Sequence, residues 1–429
     1  MTAFIKTRSI FLYLGVFLFF MVYYVALFSV CNRFYFVQGY DRCEIPPYFV
    51  VLFFFGLAAS IGLLLPIRQS ASSVVIWTVY LMNVFGSVAL YPYFINQISF
   101  SGLIYVIMVV VSFVVSARII SYFHLNFKYV VFSTTSLYIM LTVFTLFLLF
   151  IFVSTFGLRF QYASIFDVYD VRDNFKDVLR ESGGRITSYA TLLIGFLFSP
   201  LLFLVGSLAL RTNLLLGILM IVVGLFAGSQ IYASAAFKSV AAISALSILF
   251  SLTIRKSKVP FQRFLFSIFG LISLMLILQI TNLNTSAIDH WFRRAFISPG
   301  MNTIFYFEEF GWFTIGNSAS APLTISLDYY GSAGSANSGL YGNGFARGGL
   351  LGILFNLSLL IVFCIFLDGV ARFTPSLSCF PMAVVIGDAF SNSAATTVMV
   401  SYGGVLLLVL LYLLSGSLRR EHRRIHGYG

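Results

Sequence analysis

IFLYLGVFLFFMVYYVALFSV, Ile10 to Val30, runs for 21 residues without a charge. At about 1.5 Å per residue a helix of that length is about 31 Å long, the thickness of a bilayer's hydrocarbon core. Lys6 and Arg8 precede the run. It is longer than a signal-peptide core and more apolar runs follow it, so it reads as a first span and not as a cleaved leader. Nothing but helix satisfies the backbone of such a segment in lipid.

Similar runs recur along the chain. They predict twelve spans: Ile10–Val30, Tyr48–Leu65, Ser73–Tyr91, Gly102–Ser116, Val130–Ser154, Thr187–Leu210, Asn213–Ala227, Ala233–Ile254, Phe264–Ile280, Gly349–Leu367, Leu377–Ser393 and Thr397–Leu414. Pro66, Pro200 and Pro381 fall in or near them, as is common in membrane helices. The composition agrees: 60% of residues are hydrophobic and 9% charged, against roughly 25% charged in soluble proteins. The predicted fold class is all-α, a single polytopic integral membrane domain over residues 1–429.

The net charge of +12 does not point to nucleic acid, because the basic residues come one or two at a time between apolar runs. With the N-terminus in the cytoplasm, fifteen of the 26 Lys and Arg fall on the inner side against two of the 14 acids, Asp368 and Glu421. That bias is the positive-inside pattern. It predicts both termini inside and two substantial loops outside, 157–186 and 282–348.

The first loop carries Arg172 and Asp173. Val168, Val171, Phe175, Val178 and Leu179 recur at helical spacing, and Gly183-Gly184 follows. This predicts a short amphipathic helix lying at the membrane surface. The second loop gathers Asp289-His290-Trp291-Phe292-Arg293-Arg294, Ser298-Pro299-Gly300, Phe307-Glu308-Glu309-Phe310, a Gly/Ser/Ala tract around Asn337, and Phe345-Ala346-Arg347-Gly348. Cys31 and Cys43 flank one short loop and pair if it faces an oxidising side; otherwise they are free thiols.

No Walker A loop, dinucleotide fingerprint, GxSxG elbow or HExxH pair occurs, nor does any metal-ligand spacing, so no cofactor and no metal are predicted. What remains is outward arginine: Arg172, Arg293, Arg294 and Arg347. Guanidinium binds phosphate in a bidentate fork and keeps its charge. The alternative is that these arginines anchor the interface or pair with Asp173 and Asp289. Lys238, between apolar residues at the start of the eighth span, either snorkels or faces a wet cavity. Asp388, followed by Ser391-Asn392-Ser393, reads as a partner for an arginine or lysine rather than as a catalyst. His290 or the rival Glu308 and Glu309 can serve as general base, and His290 beside Trp291 is equally placed for a structural role. The Gly/Ser/Ala tract lets backbone approach a sugar or diphosphate, or is a loop without contacts.

Several segments resemble, in order, the Wzy-type O-antigen polymerases. They are Tyr169-Asp170-Val171-Arg172 leading to Gly183 and Tyr189, Phe237-Lys238-Ser239, Trp291 to Gly300, Tyr306-Phe307-Glu308-Glu309-Phe310, Ala336-Asn337-Ser338-Gly339, Phe345 to Gly352, Ser391-Asn392-Ser393 and Ser401-Tyr402-Gly403-Gly404. Arg172 and Gly183 enclose ten residues, as in that family's Arg/Gly loop pattern. The second loop departs from it, with Ile304 and Phe305 where the glycine would fall. The resemblance implies glycosyl transfer between undecaprenyl diphosphate-linked repeat units at the periplasmic face of the inner membrane, with a chain-length regulator and a flippase as partners. It places Arg293, Arg294 and Arg172 at the diphosphate, assisted by Lys238 or Arg347. His290 or Glu308 becomes the base, and Asn337, Tyr306 and Gly183 join the substrate-binding set. An O-antigen ligase and a flippase of the lipid-linked unit are the alternatives.

Overall fold

The computed structural model describes residues 15–21, 23–27, 31, 43–95, 99–128, 132–160, 168–181, 184–210, 213–235, 240, 270, 292–313, 320–331, 336–371 and 376–426. Among the described residues no strand occurs and nearly every element is helix. In chain order these are α1 (Gly15–Leu27), α2 (Tyr48–Leu64), α3 (Ala71–Ala89), α4 (Tyr91–Phe94), α5 (Phe100–Tyr122), α6 (Thr134–Phe156), α7 (Val168–Glu181), α8 (Arg185–Ala209) and α9 (Leu214–Ala235). After 241–291 follow α10 (Ser298–Phe310), α11 (Ala321–Tyr330), α12 (Gly339–Ala371), α13 (Ser376–Asn392), α14 (Ala395–Val400) and α15 (Gly404–His426). Seven helices among the described residues are long and apolar enough to cross a membrane, while α1 and α2 are apolar but shorter. Apart from 233–235, Val240 and Gly270, the predicted eighth and ninth spans lie outside the described residues.

Three π-helical turns interrupt the helices: Tyr80–Val84 in α3, Ile194–Phe198 in α8, and Arg293–Ile297 running into α10. The last two each precede a Ser-Pro, Ser199-Pro200 and Ser298-Pro299. Proline has no N–H and its ring clashes with the carbonyl four residues back, so the preceding turn widens. One carbonyl of the Arg293–Ile297 turn finds a substitute donor, with Tyr23 OH donating to Phe296 O at 2.9 Å.

α3 is the central helix. Its window is 94% buried, against 39–44% for α5, α6, α9 and α12, which expose apolar faces as lipid-facing helices do. Small residues let backbones meet. Gly86 of α3 and Gly300 of α10 are so close that a Cβ on Gly300 would stand 2.4 Å from the Gly86 carbonyl carbon. Ser199, Gly206, Gly217 and Gly224 form the seam of the α8–α9 hairpin, where Ser199 Oγ donates to Gly224 O at 2.7 Å.

The 282–348 stretch differs most from its expectation. Its described part is not an open loop: α10 is buried from Pro299 to Phe307, and 339–346 is buried as well. α12 breaks at Gly348 and Gly349, the latter at φ +54° with Trp312 O so near that only glycine fits. Beyond the break the helix folds back on its own start. Gly352 packs on Gly344, and Asn356 Nδ2 donates to Leu340 O at 2.8 Å. A straight helix would hold residues 340 and 356 about 24 Å apart. The amphipathic helix of the first loop is present as α7, but its apolar face is held by protein: Phe175 stacks on Phe156 at 4.6 Å.

Gly300→Ala drives a methyl into the α3 backbone and lowers stability by about 1–3 kcal/mol or more. Gly56→Ala, with open space around it, is neutral to stabilising by up to about 1 kcal/mol. Thermal unfolding of the two purified variants in detergent checks the contrast.

Candidate functional site

Asn83 sits in the π turn of α3, 1% exposed, the one carboxamide in a helix whose other polar residues are hydroxyl-bearing. Its Nδ2 lies 3.2 Å from each of three oxygens: Pro299 O and Thr303 Oγ1 of α10, and Ser391 O near the end of α13. Three acceptors around one nitrogen fix which way the amide points. Gly339, the first residue of α12, closes the fourth side, since a Cβ there would stand 2.6 Å from Ser391 O and 2.9 Å from Asn83 Nδ2. Asn83 lies twelve residues into α3, about 18 Å along the axis. The junction of α3, α10, α12 and α13 therefore sits well inside the bundle, where an unpaired carbonyl is costly.

From this junction a chain of polar side chains leads outward. Asn302 Nδ2 donates to Asn337 O at 2.9 Å, and Tyr330 OH donates to Asn302 Oδ1. Tyr306 OH donates to Ala336 O at 3.2 Å. Asn337 Nδ2 donates to Asn392 Oδ1 at 3.1 Å, and Asn392 Nδ2 donates to Asp388 Oδ1 at 2.9 Å. Ser393 Oγ and Tyr402 OH share a hydrogen bond at 3.1 Å, and the Tyr402 ring stacks on Phe196 in the π turn of α8. Asn337 is exposed, while Asp388, Asn392 and Tyr402 are half-buried. Amides, a carboxylate and phenols in a row are donors and acceptors suited to sugar hydroxyls.

Arg293 and Arg294 are adjacent in the third π turn and half-buried. Their turn is packed against protein. Phe292 packs on Tyr23 and Phe296 on Phe19, and Tyr23 lies eight residues before Cys31 in the sequence. Arg172 stands half-buried on α7 beside α6, α8 and α9, and burial lowers its guanidinium from the ordinary value. Glu308, exposed, lies fourteen residues from Arg294 along the same helical run, about 21 Å. That distance exceeds the combined reach of the two side chains, so they do not meet at one reacting atom. Arg347 sits at the α12 break with its guanidinium 5.8 Å from the Phe355 ring centroid. Tyr306 is fully enclosed and acts through Ala336. His290, Lys238 and Gly183 lie outside the described residues.

Asn83, Asn302 and Asn392 bind the site together and were not singled out as partners in the sequence. A carboxamide inside a membrane-length apolar helix, as at Asn83, is the signal that marks such a residue. Among the described residues no group of three or more His, Cys, Asp and Glu is placed to hold a metal. The two ends of the bundle are distinct. Cys31 and Cys43 form a disulfide at one end, where Glu44 N donates to Tyr93 O at 2.9 Å. At the other, Ser72 N donates to Asp368 Oδ1 at 2.9 Å and Arg68 meets His124. A cavity of about 260 Å³ opens there, lined by Asp368, His124 and Cys379 among others. It is remote from the polar chain.

Compared with known proteins, the chain matches no family model, and no curated protein or solved structure matches it significantly.

Asn83→Ala removes the side-chain donor to Ser391 O, while Pro299 O keeps Thr303 Oγ1, and costs about 1–3 kcal/mol. Asn83→Asp sets a carboxylate against three oxygens and costs more. Ser358→Ala, which loses only an exposed bond to Leu354 O, stays within about 0.5 kcal/mol of wild type. Melting temperatures of the three variants in one detergent rank them.

Proposed function

We infer that the chain is an O-antigen polymerase, a membrane glycosyltransferase that joins undecaprenyl diphosphate-linked oligosaccharide repeat units on the periplasmic face of the inner membrane. The carrying observation is the pairing of two kinds of group near one junction. Arg293 and Arg294 supply adjacent, half-buried guanidinium groups suited to a diphosphate. The Asn302–Asn337–Asn392–Asp388 chain supplies hydrogen-bonding groups suited to a glycan. The donor brings its own leaving group, so no nucleotide or soluble cofactor is required. Arginine stabilises the charge that grows on the diphosphate as the glycosidic bond breaks.

The assigned orientation has twelve spans and both termini cytoplasmic. The Cys31–Cys43 disulfide supports it, because such bonds persist in oxidising compartments and this one sits at the end assigned to the periplasm. Arg68 and Lys128 mark the opposite end. The expected partners are the lipid-linked donor and acceptor, a flippase and a chain-length regulator. One observation favours a flippase as the second reading: α12 breaks and α13 ends inside the bundle, and interrupted helices of this kind line transport sites.

Arg293→Ala combined with Arg294→Ala lowers polymerisation by about 10²–10³-fold, and the lipopolysaccharide ladder of the complemented deletion strain collapses to one repeat on lipid A-core. Unattached polymer in the deletion strain would instead identify a ligase. Repeat units held on the inner face would identify a flippase.

A further inference from the structure

The polymerase reading needs a group that takes the proton from the acceptor hydroxyl, and Glu308 lies too far along its helix from Arg294 to do so. Glu309 is exposed beside it, and Asp328 is exposed on α11. Asp388 differs from all three. Its carboxylate is the one acid in the polar chain that joins α13 to Asn337. Asn392 Nδ2 holds Oδ1 at 2.9 Å, and Asn392 is itself held by Asn337 Nδ2 at 3.1 Å. The hydrogen bonds that Asp388 accepts among the described residues are those of Asn392 to its backbone O and to Oδ1, and Asp388 is half-buried. One oxygen is thus oriented and the other is left to accept a proton, the arrangement of a base fixed by a neighbour. Asp388 is three residues before Ser391, and Arg294 is five residues before Pro299. Both Ser391 O and Pro299 O rest on Asn83 Nδ2, so the backbone of each of the two residues lies within about two helical turns of one nitrogen.

We propose that Asp388 is the general base of glycosyl transfer, a role that rests on the polymerase reading. The acceptor hydroxyl gives its proton to Asp388 Oδ2 while its oxygen forms the new bond to the donor's anomeric carbon. The anomeric C–O bond to diphosphate breaks, and its electron pair leaves with undecaprenyl diphosphate. Asp388 then returns the proton to water. Asn392 and Asn337 are positioning residues that hold the carboxylate.

The test uses the full chain in detergent and the undecaprenyl diphosphate-linked repeat unit purified from a host strain lacking this chain. Asp388→Asn lowers kcat by about 10²–10⁴-fold with KM changed by less than about threefold. Undecaprenyl diphosphate alone raises the melting temperature of this variant as it does that of wild type, which separates lost chemistry from lost fold. Asp388→Glu, with a base displaced by one carbon, recovers at least about tenfold over Asp388→Asn. Asn392→Ala lowers kcat in wild type and adds no further loss to Asp388→Asn. With wild type active, an Asp388→Asn rate within about threefold of it overturns the role of Asp388 alone, as does additive loss in the double variant or no recovery in Asp388→Glu. A wild type that does not lengthen the repeat unit overturns both the polymerase reading and the base.

Discussion

One carboxamide nitrogen, Asn83 Nδ2, is shared by three oxygens from two distant parts of the chain. In water such contacts are replaceable. Inside an apolar bundle each backbone carbonyl that leaves its helical ladder must find a donor in the protein, at a cost of several kcal/mol if it does not. α13 ends beside this nitrogen, α12 begins beside it, and the first turn of α10 passes it. The break points of the fold thus gather where a side chain can serve them, and only a polar residue on the central helix can do so. The same logic explains Tyr23, whose hydroxyl serves the Phe296 carbonyl in the turn widened ahead of Pro299.

Close backbone approach is the second half of this constraint. Gly86 against Gly300 and Gly344 against Gly352 bring helices near enough for dispersion to hold them without a hydrophobic drive between helices in lipid. The contacts also set α10 across α3 so that Pro299 and Thr303 both face Asn83. A larger residue at either crossing would move the oxygens away from their donor. Packing and hydrogen bonding at the junction are therefore one feature, and Arg293 and Arg294 inherit their placement from it through the turn that precedes Pro299.

The apolar runs were readable because lipid leaves a long uncharged segment no alternative to helix, and α3, α5, α6, α8 and α9 lie close to the spans they predict. α7 was readable from Val168, Val171, Phe175 and Val178, which keep helical spacing in a polar setting. The 282–348 stretch was not. Its helices carry Asn302, Thr303 and Tyr306 on buried faces, which erases the apolar period, and the partners of these residues lie 30 to 220 positions away. A sequence window sees polarity there and predicts solvent, whereas the fold supplies the missing hydrogen bonds internally. Glu308 illustrates the same limit: its nearness to Arg294 in the sequence becomes a long distance once the intervening residues are helical.

Sidedness brings these observations together. The Asp368 end of α3 is a helix N-terminus closed by a carboxylate, a tidy structural use of charge at the positive end of a dipole. Toward the disulfide end, polarity is spent differently. Asn337 is exposed, Asn392 and Asp388 are half-buried, and the two arginines are half-buried in a turn flanked by Phe292 and Phe296, whose rings pack on α1. Apolar residues of similar volume would often be at least as stabilising in such a bundle as these polar groups. Their presence in one region supports the proposed site for a polar, anionic, membrane-anchored ligand. In the proposed function the ligand brings a charge for guanidinium and hydroxyls for amides, as a sugar diphosphate on a lipid does.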